Sequence, residues 1–161
     1  MSSDILLQLA IEAGQALQDK GLQLATAESC TGGGVAQAIT EIAGSSAWFE
    51  RGFITYSNAS KTELLEVPAA LIAAHGAVSE EVAAAMARGA LDASNADVAV
   101  STTGIAGPGG AVPGKPVGTV CFGWATADAV HTERHLFAGD RHAVREQAVA
   151  HALQGLLRFV R

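Results

Sequence analysis

The chain has 161 residues, of which 49% are hydrophobic and only 16% are charged. A sequence of this length and composition buries a sizeable core as one domain, which excludes intrinsic disorder as its main state. Ten basic residues against sixteen acidic ones leave a formal net charge of −6. There is therefore no overall positive potential of the kind that collects nucleic acid on a protein surface.

Cysteine usage and the chain start bear on the compartment. Cys30 and Cys121 are far apart and show no spacing typical of a zinc site or a disulfide scaffold. Residues 1–4 lack the basic segment of a signal peptide. No apolar stretch reaches the roughly 20 residues that a membrane-spanning helix requires. These features predict a cytoplasmic protein whose partners include neither a membrane nor a nucleic acid.

The periodicity of the chain predicts alternating helices and strands. Apolar residues recur at three- and four-residue spacing from Ile5 to Leu17, which predicts a helix that ends near residue 20. The later elements are expected to be a strand at 22–26, a turn at 27–34, a helix from Val35, a strand at 53–56, short helical pieces between Pro68 and Gly76, a helix from Ser79, a strand at 98–100, a loop from Thr103 to Pro116, strands at 117–124 and 130–137, and a helix capped by Asp140.

This order of elements indicates the fold class. Helices that alternate with buried strands, with one hairpin near the C-terminus, imply an α/β protein. The expected architecture is a three-layer α/β/α sandwich with a mixed, mostly parallel sheet, formed by a single domain over residues 1–161.

Ser29 is the first candidate for chemistry. It lies between a predicted strand and the glycine-rich start of a helix, where backbone N–H groups converge and can stabilise an oxyanion or a phosphate. The alternative, commoner for such residues, is that Ser29 or Thr31 only caps the helix. Cys30 has no neighbouring base in the sequence and is expected to be a small buried side chain.

A serine nucleophile needs a base, and the five histidines are not arranged in an order that indicates a triad. Lys61 follows the only tyrosine, Tyr56, by five residues, just past a predicted strand. A partly desolvated lysine there could lose its proton near neutral pH. The alternative is a solvated lysine that pairs with Glu63 or Glu66, beside a tyrosine that merely covers the core edge.

Two further segments could bind an anion. The loop from Thr103 to Pro116 is rich in glycine, so its amides can approach a ligand closely. Pro116 occupies the position where a P-loop requires Ser or Thr, which excludes a nucleoside-triphosphate site of that type. Arg141 and Arg145 are one helical turn apart and could clamp a phosphate, or could simply form a charged surface.

Metal binding is not predicted. His131 and His135 share one face of a predicted strand, because side chains alternate along a strand. No third ligand is apparent in the sequence. We therefore expect neither a metal nor a cofactor.

Five blocks of sequence, taken in order, resemble the CinA C-terminal domain family. They are TAESCTGG at 26–33, GSSAWF at 44–49, GFITYSN at 52–58 with Lys61, HGAVS at 75–79, and STTGIAGP at 101–108 with KPVGTV at 115–120. Members of that family act as nicotinamide-mononucleotide amidohydrolases. The resemblance covers nearly the whole chain and implies a free-standing form, without the molybdopterin-binding-like domain and the pyrophosphatase activity of longer members.

The resemblance also implies roles for individual residues. Ser29 would attack the carboxamide carbon of nicotinamide mononucleotide, Lys61 would act as the base, and Tyr56 would relay or orient the proton. The amides expected to hold the oxyanion are those of Thr31, Gly32 and Gly33. No metal or cofactor is required by this scheme.

Substrate contacts and partners complete the expectations. By resemblance, Thr103 and Gly104 would contact the ribose and phosphate of the nucleotide, and Arg145 would be the main phosphate cation. Ser46 would belong to the site without an assignable role. Faces rich in Ala and Gly favour a homodimer or a higher homo-oligomer. A second hypothesis is a non-catalytic nucleotide-binding or regulatory module linked to competence or DNA damage.

Overall fold

The computed structural model describes residues 3–161, so two of the four residues used to argue against a signal peptide lie outside the described residues. The helices are α1 (Ser3–Asp19), α2 (Gly34–Thr40), α3 (Asn58–Leu65), α4 (Ala69–His75), α5 (Glu80–Asp92) and α6 (Arg141–Val160), with a short 3₁₀ helix at Ser45–Ala47. The strands are β1 (Leu24–Glu28), β2 (Phe49–Ile54), β3 (Val98–Gly104), β4 (Thr119–Ala125) and β5 (Val130–Leu136).

The five strands form one sheet in the order β2-β1-β3-β4-β5. The β1 strand pairs in parallel with both β2 and β3, whereas β3 with β4 and β4 with β5 pair antiparallel. Only β4 therefore runs against the other strands. The predicted α/β class, with a mixed sheet and a C-terminal hairpin, is confirmed.

Helices cover both faces of this sheet. Leu24 and Val98 pack in a core cluster with side chains from α1, α2 and α6. Ala25 and Ala99, the next residues along the same strands, pack in a second cluster with α5. The β1 strand is buried along its whole length. A strand buried on both faces reads as a continuous run rather than an alternation, which is typical of parallel sheets under two helical layers.

Glycines admit the two buried tryptophans between helix and sheet. A Cβ atom at Gly155 would lie 2.0 Å from the Trp124 ring, and one at Gly14 would lie 2.5 Å from the Trp48 ring. The Trp124 indole N–H donates to the Ala152 carbonyl at 3.1 Å. The few rings of this core therefore occupy space that small helix residues leave open.

Three predicted strands have wrong boundaries. The β1 strand starts and ends two residues later than predicted, and β2 ends at Ile54, so Tyr56 lies in the following turn. The β3 strand continues through Thr103 and Gly104, which pair with Cys121 and Val120 of β4 rather than opening a loop. Gly104 is required by close packing, because a Cβ there would lie 2.7 Å from the Val120 side chain.

Two helix caps follow the sequence. The Ser79 hydroxyl accepts from the Val82 N–H before α5, and the Asp140 carboxylate accepts from the Ala143 N–H before α6.

Over residues 3–161, no helix combines the length and the apolar character needed to cross a bilayer.

Candidate active site

Ser29 comes directly after β1, at the carboxyl ends of the parallel strands. Its N–H donates to the Thr102 carbonyl of β3 at 3.0 Å, which continues the strand pairing up to the serine. The turn then reverses through Gly32 and Gly33, whose φ angles of 58° and 100° favour glycine. Ligands of open α/β sheets bind at this edge. A cleft of about 260 Å³ lies here.

Lys61 reaches Ser29 from α3. Its Nζ atom lies 3.1 Å from the Ser29 Oγ, 3.0 Å from the Thr55 carbonyl oxygen and 3.3 Å from the Tyr56 carbonyl oxygen. Only 1% of Lys61 is exposed. The alternative of a solvated lysine paired with a neighbouring glutamate is therefore wrong.

The surroundings of Lys61 favour a neutral amine. Burial lowers its pKa below the ordinary value, and the coulombic effect of Cys30 opposes this shift. Two of the three hydrogen-bond partners of the Lys61 Nζ atom are carbonyl oxygens, which can only accept hydrogen bonds. A neutral amine donates its two N–H groups to them and keeps its lone pair for the Ser29 hydroxyl. This geometry suits proton removal from Ser29.

Glu28 is a buried carboxylate that sequence reasoning missed. Its Oε1 accepts from the Thr31 hydroxyl at 2.5 Å and from the Val35 N–H at 2.9 Å, while its Oε2 accepts from the Ala36 N–H at 3.0 Å. It thus fills the place of a side-chain cap at the start of α2, where negative charge is favoured. Ser29 is left free for other contacts. A Glu six positions before a helix is not a recognised capping signal.

The amides of the turn fall into two groups. The Gly32 N–H donates to the Ser29 carbonyl at 3.1 Å, so the structure does not offer it to a ligand. The N–H groups of Cys30, Thr31 and Gly33 have no oxygen acceptor within the described chain. The N–H of the residue after a nucleophilic serine is a common oxyanion donor. Cys30 therefore joins Thr31 and Gly33 as a candidate donor, and Gly32 leaves the set.

The Cys30 thiol is not a second nucleophile. It is buried, and burial together with the negative charge of Glu28 raises its pKa to about 12. A thiol in that state carries almost no thiolate at neutral pH, and the thiolate is the nucleophilic form.

The two arginines of α6 have different partners. Arg145 donates to the carbonyls of Cys30 at 3.1 Å and Thr31 at 3.3 Å, so it holds the turn rather than facing the cleft. Arg141 lines the cleft. It donates to the Gly107 carbonyl at 2.7 Å and to the Tyr56 hydroxyl at 3.2 Å.

Of the remaining predicted site residues, some line the cleft and one does not. Tyr56 and Gly104 line the cleft. Thr103 also lines it, although its hydroxyl donates to the Ala77 carbonyl at 2.8 Å. The structure does not bring Ser46 to the cleft, because the 3₁₀ helix that carries it precedes β2, whereas the cleft lies where β2 ends.

Within residues 3–161, the one group of His, Cys, Asp and Glu side chains close enough to share a metal ion lies outside the cleft, around Glu133. The sequence suggested no third ligand to accompany His131 and His135. The structure places two further groups that can bind a metal, Glu133 and His151, beside His135.

The chain is similar to known proteins over nearly its whole length. Residues 6–160 match the sequence profile of the CinA C-terminal domain. Two similar proteins are named nicotinamide-nucleotide amidohydrolase PncC. The one from Escherichia coli (strain K12) is 57% identical over 157 residues, which cover 97% of this chain and 95% of that protein. The one from Pseudomonas putida is 54% identical over 156 residues, with 97% and 98% coverage.

A solved structure has the same fold. The competence/damage inducible protein CihA from Agrobacterium tumefaciens matches with a TM-score of 0.94 and 41% sequence identity. The match covers 98% of this chain and 96% of that one.

Proposed function

Because the chain belongs to the CinA C-terminal domain family, we propose that it is an amidohydrolase that converts nicotinamide mononucleotide and water to nicotinate mononucleotide and ammonia. The two PncC relatives, whose names state this class of reaction, align with nearly all of the chain. The observation that carries the mechanism is the 3.1 Å contact between Lys61 Nζ and Ser29 Oγ at the cleft.

The first proposed step forms an acyl-enzyme. Neutral Lys61 takes the hydroxyl proton of Ser29 as the Oγ atom attacks the carboxamide carbon. The carbonyl oxygen becomes an oxyanion, and the free N–H groups of Cys30 and Thr31 donate to it. Loss of one such donor typically costs about 10²–10³ in rate.

The second step releases ammonia and the third restores the enzyme. The Lys61 ammonium gives its proton to the leaving nitrogen as the C–N bond breaks, leaving a nicotinate ester on Ser29. Lys61, neutral again, then takes a proton from water as the water oxygen attacks the ester. Collapse of the second oxyanion releases the carboxylic acid, and the Lys61 ammonium returns its proton to Ser29 Oγ. The acid then loses its proton to solvent and becomes the carboxylate product.

Tyr56 supports this cycle mainly through its backbone. Its carbonyl accepts from Lys61 Nζ and so orients the base, while its hydroxyl contacts Arg141 rather than Lys61. We propose that the exposed Tyr56 ring lies against the pyridinium ring of the substrate, since an aromatic face attracts a cation.

Arg141 is the proposed phosphate ligand. It lines the cleft, and it lies in the first turn of α6, where the helix dipole also favours an anion. A local cation of this kind lets a protein of net charge −6 bind a nucleotide. Thr103 and Gly104, on the cleft wall, are the proposed neighbours of the ribose.

The proposed setting is the cytoplasm, with a dissolved nucleotide as the substrate and no nucleic acid as a partner. Both cysteines are free and buried, which suits a reducing compartment.

We also propose a homodimer or higher homo-oligomer, because Ile54 and Leu64 expose 56% and 50% of their surface. Light scattering on the purified protein measures that state.

An ammonia-release assay tests the function. Purified protein is expected to release ammonia from nicotinamide mononucleotide, and Ser29→Ala is expected to abolish the release. The matched control is Ser46→Ala, a serine-to-alanine change away from the cleft, which should leave the rate unchanged. A nucleotide that raises the melting temperature without turnover would instead favour the non-catalytic binding module.

A further inference from the structure

Three histidines converge on one carboxylate beside β5, the edge strand farthest from β2. His131, Glu133 and His135 share one face of β5, because side chains alternate along a strand. His151 approaches the same point from α6. The Nε2 atoms of His135 and His151 lie 2.8 Å and 2.9 Å from the Glu133 Oε1. Glu133, His135 and His151 each offer one ligand atom, and these three atoms lie within 4.8 Å of one another.

From this convergence we propose that Glu133, His135 and His151 bind a divalent transition-metal ion, zinc above all, at a site separate from the catalytic cleft. Two imidazole nitrogens and one carboxylate oxygen form a donor set that suits Zn²⁺. Mg²⁺ and Ca²⁺ are disfavoured because they prefer ligands that are all oxygen.

Two of the three distances between the ligand atoms, those from Glu133 Oε1 to the two histidine nitrogens, are close to those of a tetrahedral site. Zinc bonds of about 2.0–2.1 Å place ligand atoms roughly 3.4 Å apart. The present spacings of 2.8 Å and 2.9 Å therefore have to widen by roughly half an ångström when the shared protons are replaced by the ion. The side chains of His135 and Glu133 are 37% and 24% exposed, so a water molecule can enter as the fourth ligand.

His131 orients the carboxylate. Its Nε2 lies 2.8 Å from the other oxygen of Glu133, Oε2, and its ring stacks on Trp124 at 5.7 Å between ring centroids. Arg158 also approaches Oε2, at 3.7 Å. Both groups therefore engage the oxygen that faces away from the proposed ion, an arrangement by which outer contacts orient a metal ligand.

Binding would tie the edge strand β5 to α6. His135 and His151 belong to these two elements, and an ion shared by them resists their separation. A ligand that binds only the folded state stabilises it by mass action. The proposed role is therefore to reinforce the fold, and none of the residues proposed for amide hydrolysis takes part.

The test titrates zinc chloride into metal-free protein that carries no polyhistidine tag, by calorimetry and by equilibrium dialysis with metal analysis. One Zn²⁺ per chain is expected. At a free Zn²⁺ concentration 100 times Kd, the melting temperature should rise by roughly 5–10 °C. His151→Ala and His135→Ala should each weaken binding by more than about 100-fold, and His131→Ala by about 10–100-fold.

The matched control is His142→Ala. His142 also contacts a glutamate on α6, with its Nε2 3.1 Å from Glu146, but it is outside the cluster. This variant should bind zinc as the unaltered protein does. If His151→Ala does not fold, as judged by circular dichroism, His135→Gln decides, because it keeps a polar group at a partly exposed position. Unchanged affinity in the cluster variants, or no binding at millimolar zinc, overturns the proposal.

Discussion

The Nζ atom of Lys61 lies 3.1 Å from the Oγ atom of Ser29, although the two residues are 32 positions apart. The contact depends on the parallel pairing of β1 with β2, which brings the ends of both strands together. The Thr55 N–H donates to the Glu28 carbonyl at 2.8 Å and fixes the start of α3 against the turn. A nucleophile and its base are thus aligned by strand pairing.

Removal of the base should slow the reaction without loss of the fold. Lys61→Ala is expected to lower kcat by about 10²–10⁴, the usual contribution of general acid–base catalysis. Lys61→Arg should not restore it, because a guanidinium stays protonated. Ammonia release at saturating substrate measures the effect, with Lys20→Ala, in the turn that follows α1, as the matched control. Appreciable activity in Lys61→Arg would contradict the role of Lys61 as a base.

The pH dependence of the reaction should follow Lys61. Its pKa is lowered from 10.5 by burial, and the neutral amine is the active form, so kcat/KM should rise with pH through that lowered pKa. Arg141→Ala should keep the same rising limb at a lower overall value. A profile that is flat, or that falls with increasing pH over this range, would exclude a lysine base.

The same shift predicts a stability effect of definite sign. Between the lowered pKa and 10.5, the folded protein binds fewer protons at Lys61 than the unfolded chain does. The free energy of unfolding should therefore rise with pH across that window and level off below it. Urea titrations at several pH values measure the slope, and Lys61→Met should remove Lys61's share of it. Identical slopes in the two proteins would count against the shift.

Arg141 and Arg145 should produce different kinetic defects. Arg141→Ala is expected to raise KM for nicotinamide mononucleotide by roughly 10–100-fold, the value of a charge-assisted hydrogen bond. It should change little for nicotinamide riboside, which has no phosphate. Arg145→Ala should instead lower kcat for both substrates, because it frees the carbonyls of Cys30 and Thr31. The reverse pattern would restore Arg145 as the phosphate ligand.

Loss of the Glu28 charge should destabilise the turn. In Glu28→Gln, one oxygen becomes an amide nitrogen that faces an N–H group or a hydroxyl, so a buried donor loses its acceptor. The free energy of unfolding should fall by about 1–3 kcal/mol, as measured in urea. Glu41→Gln, at the exposed C-terminal end of the same helix, is the matched control and should have little effect.

Much of the secondary structure could be predicted from the sequence, because local interactions determine it. Apolar spacing indicated α1, and the side chains of Ser79 and Asp140 cap their helices as predicted. The hairpin of β4 and β5 also follows from adjacent stretches of chain. Spacing alone favoured a capping role for Ser29 over that of a nucleophile, and the family resemblance was needed to pair it with Lys61.

Only the tertiary structure decided which distant groups meet. Glu28 caps α2 through hydrogen bonds that no local pattern signals, and strand order moves Ser46 away from the cleft. The partners of Arg141 and Arg145 depend on how α6 lies against the turn, and His151 reaches Glu133 only because α6 packs beside β5. Contacts of this kind depend on packing between elements, whereas periodicity and capping act within a few residues.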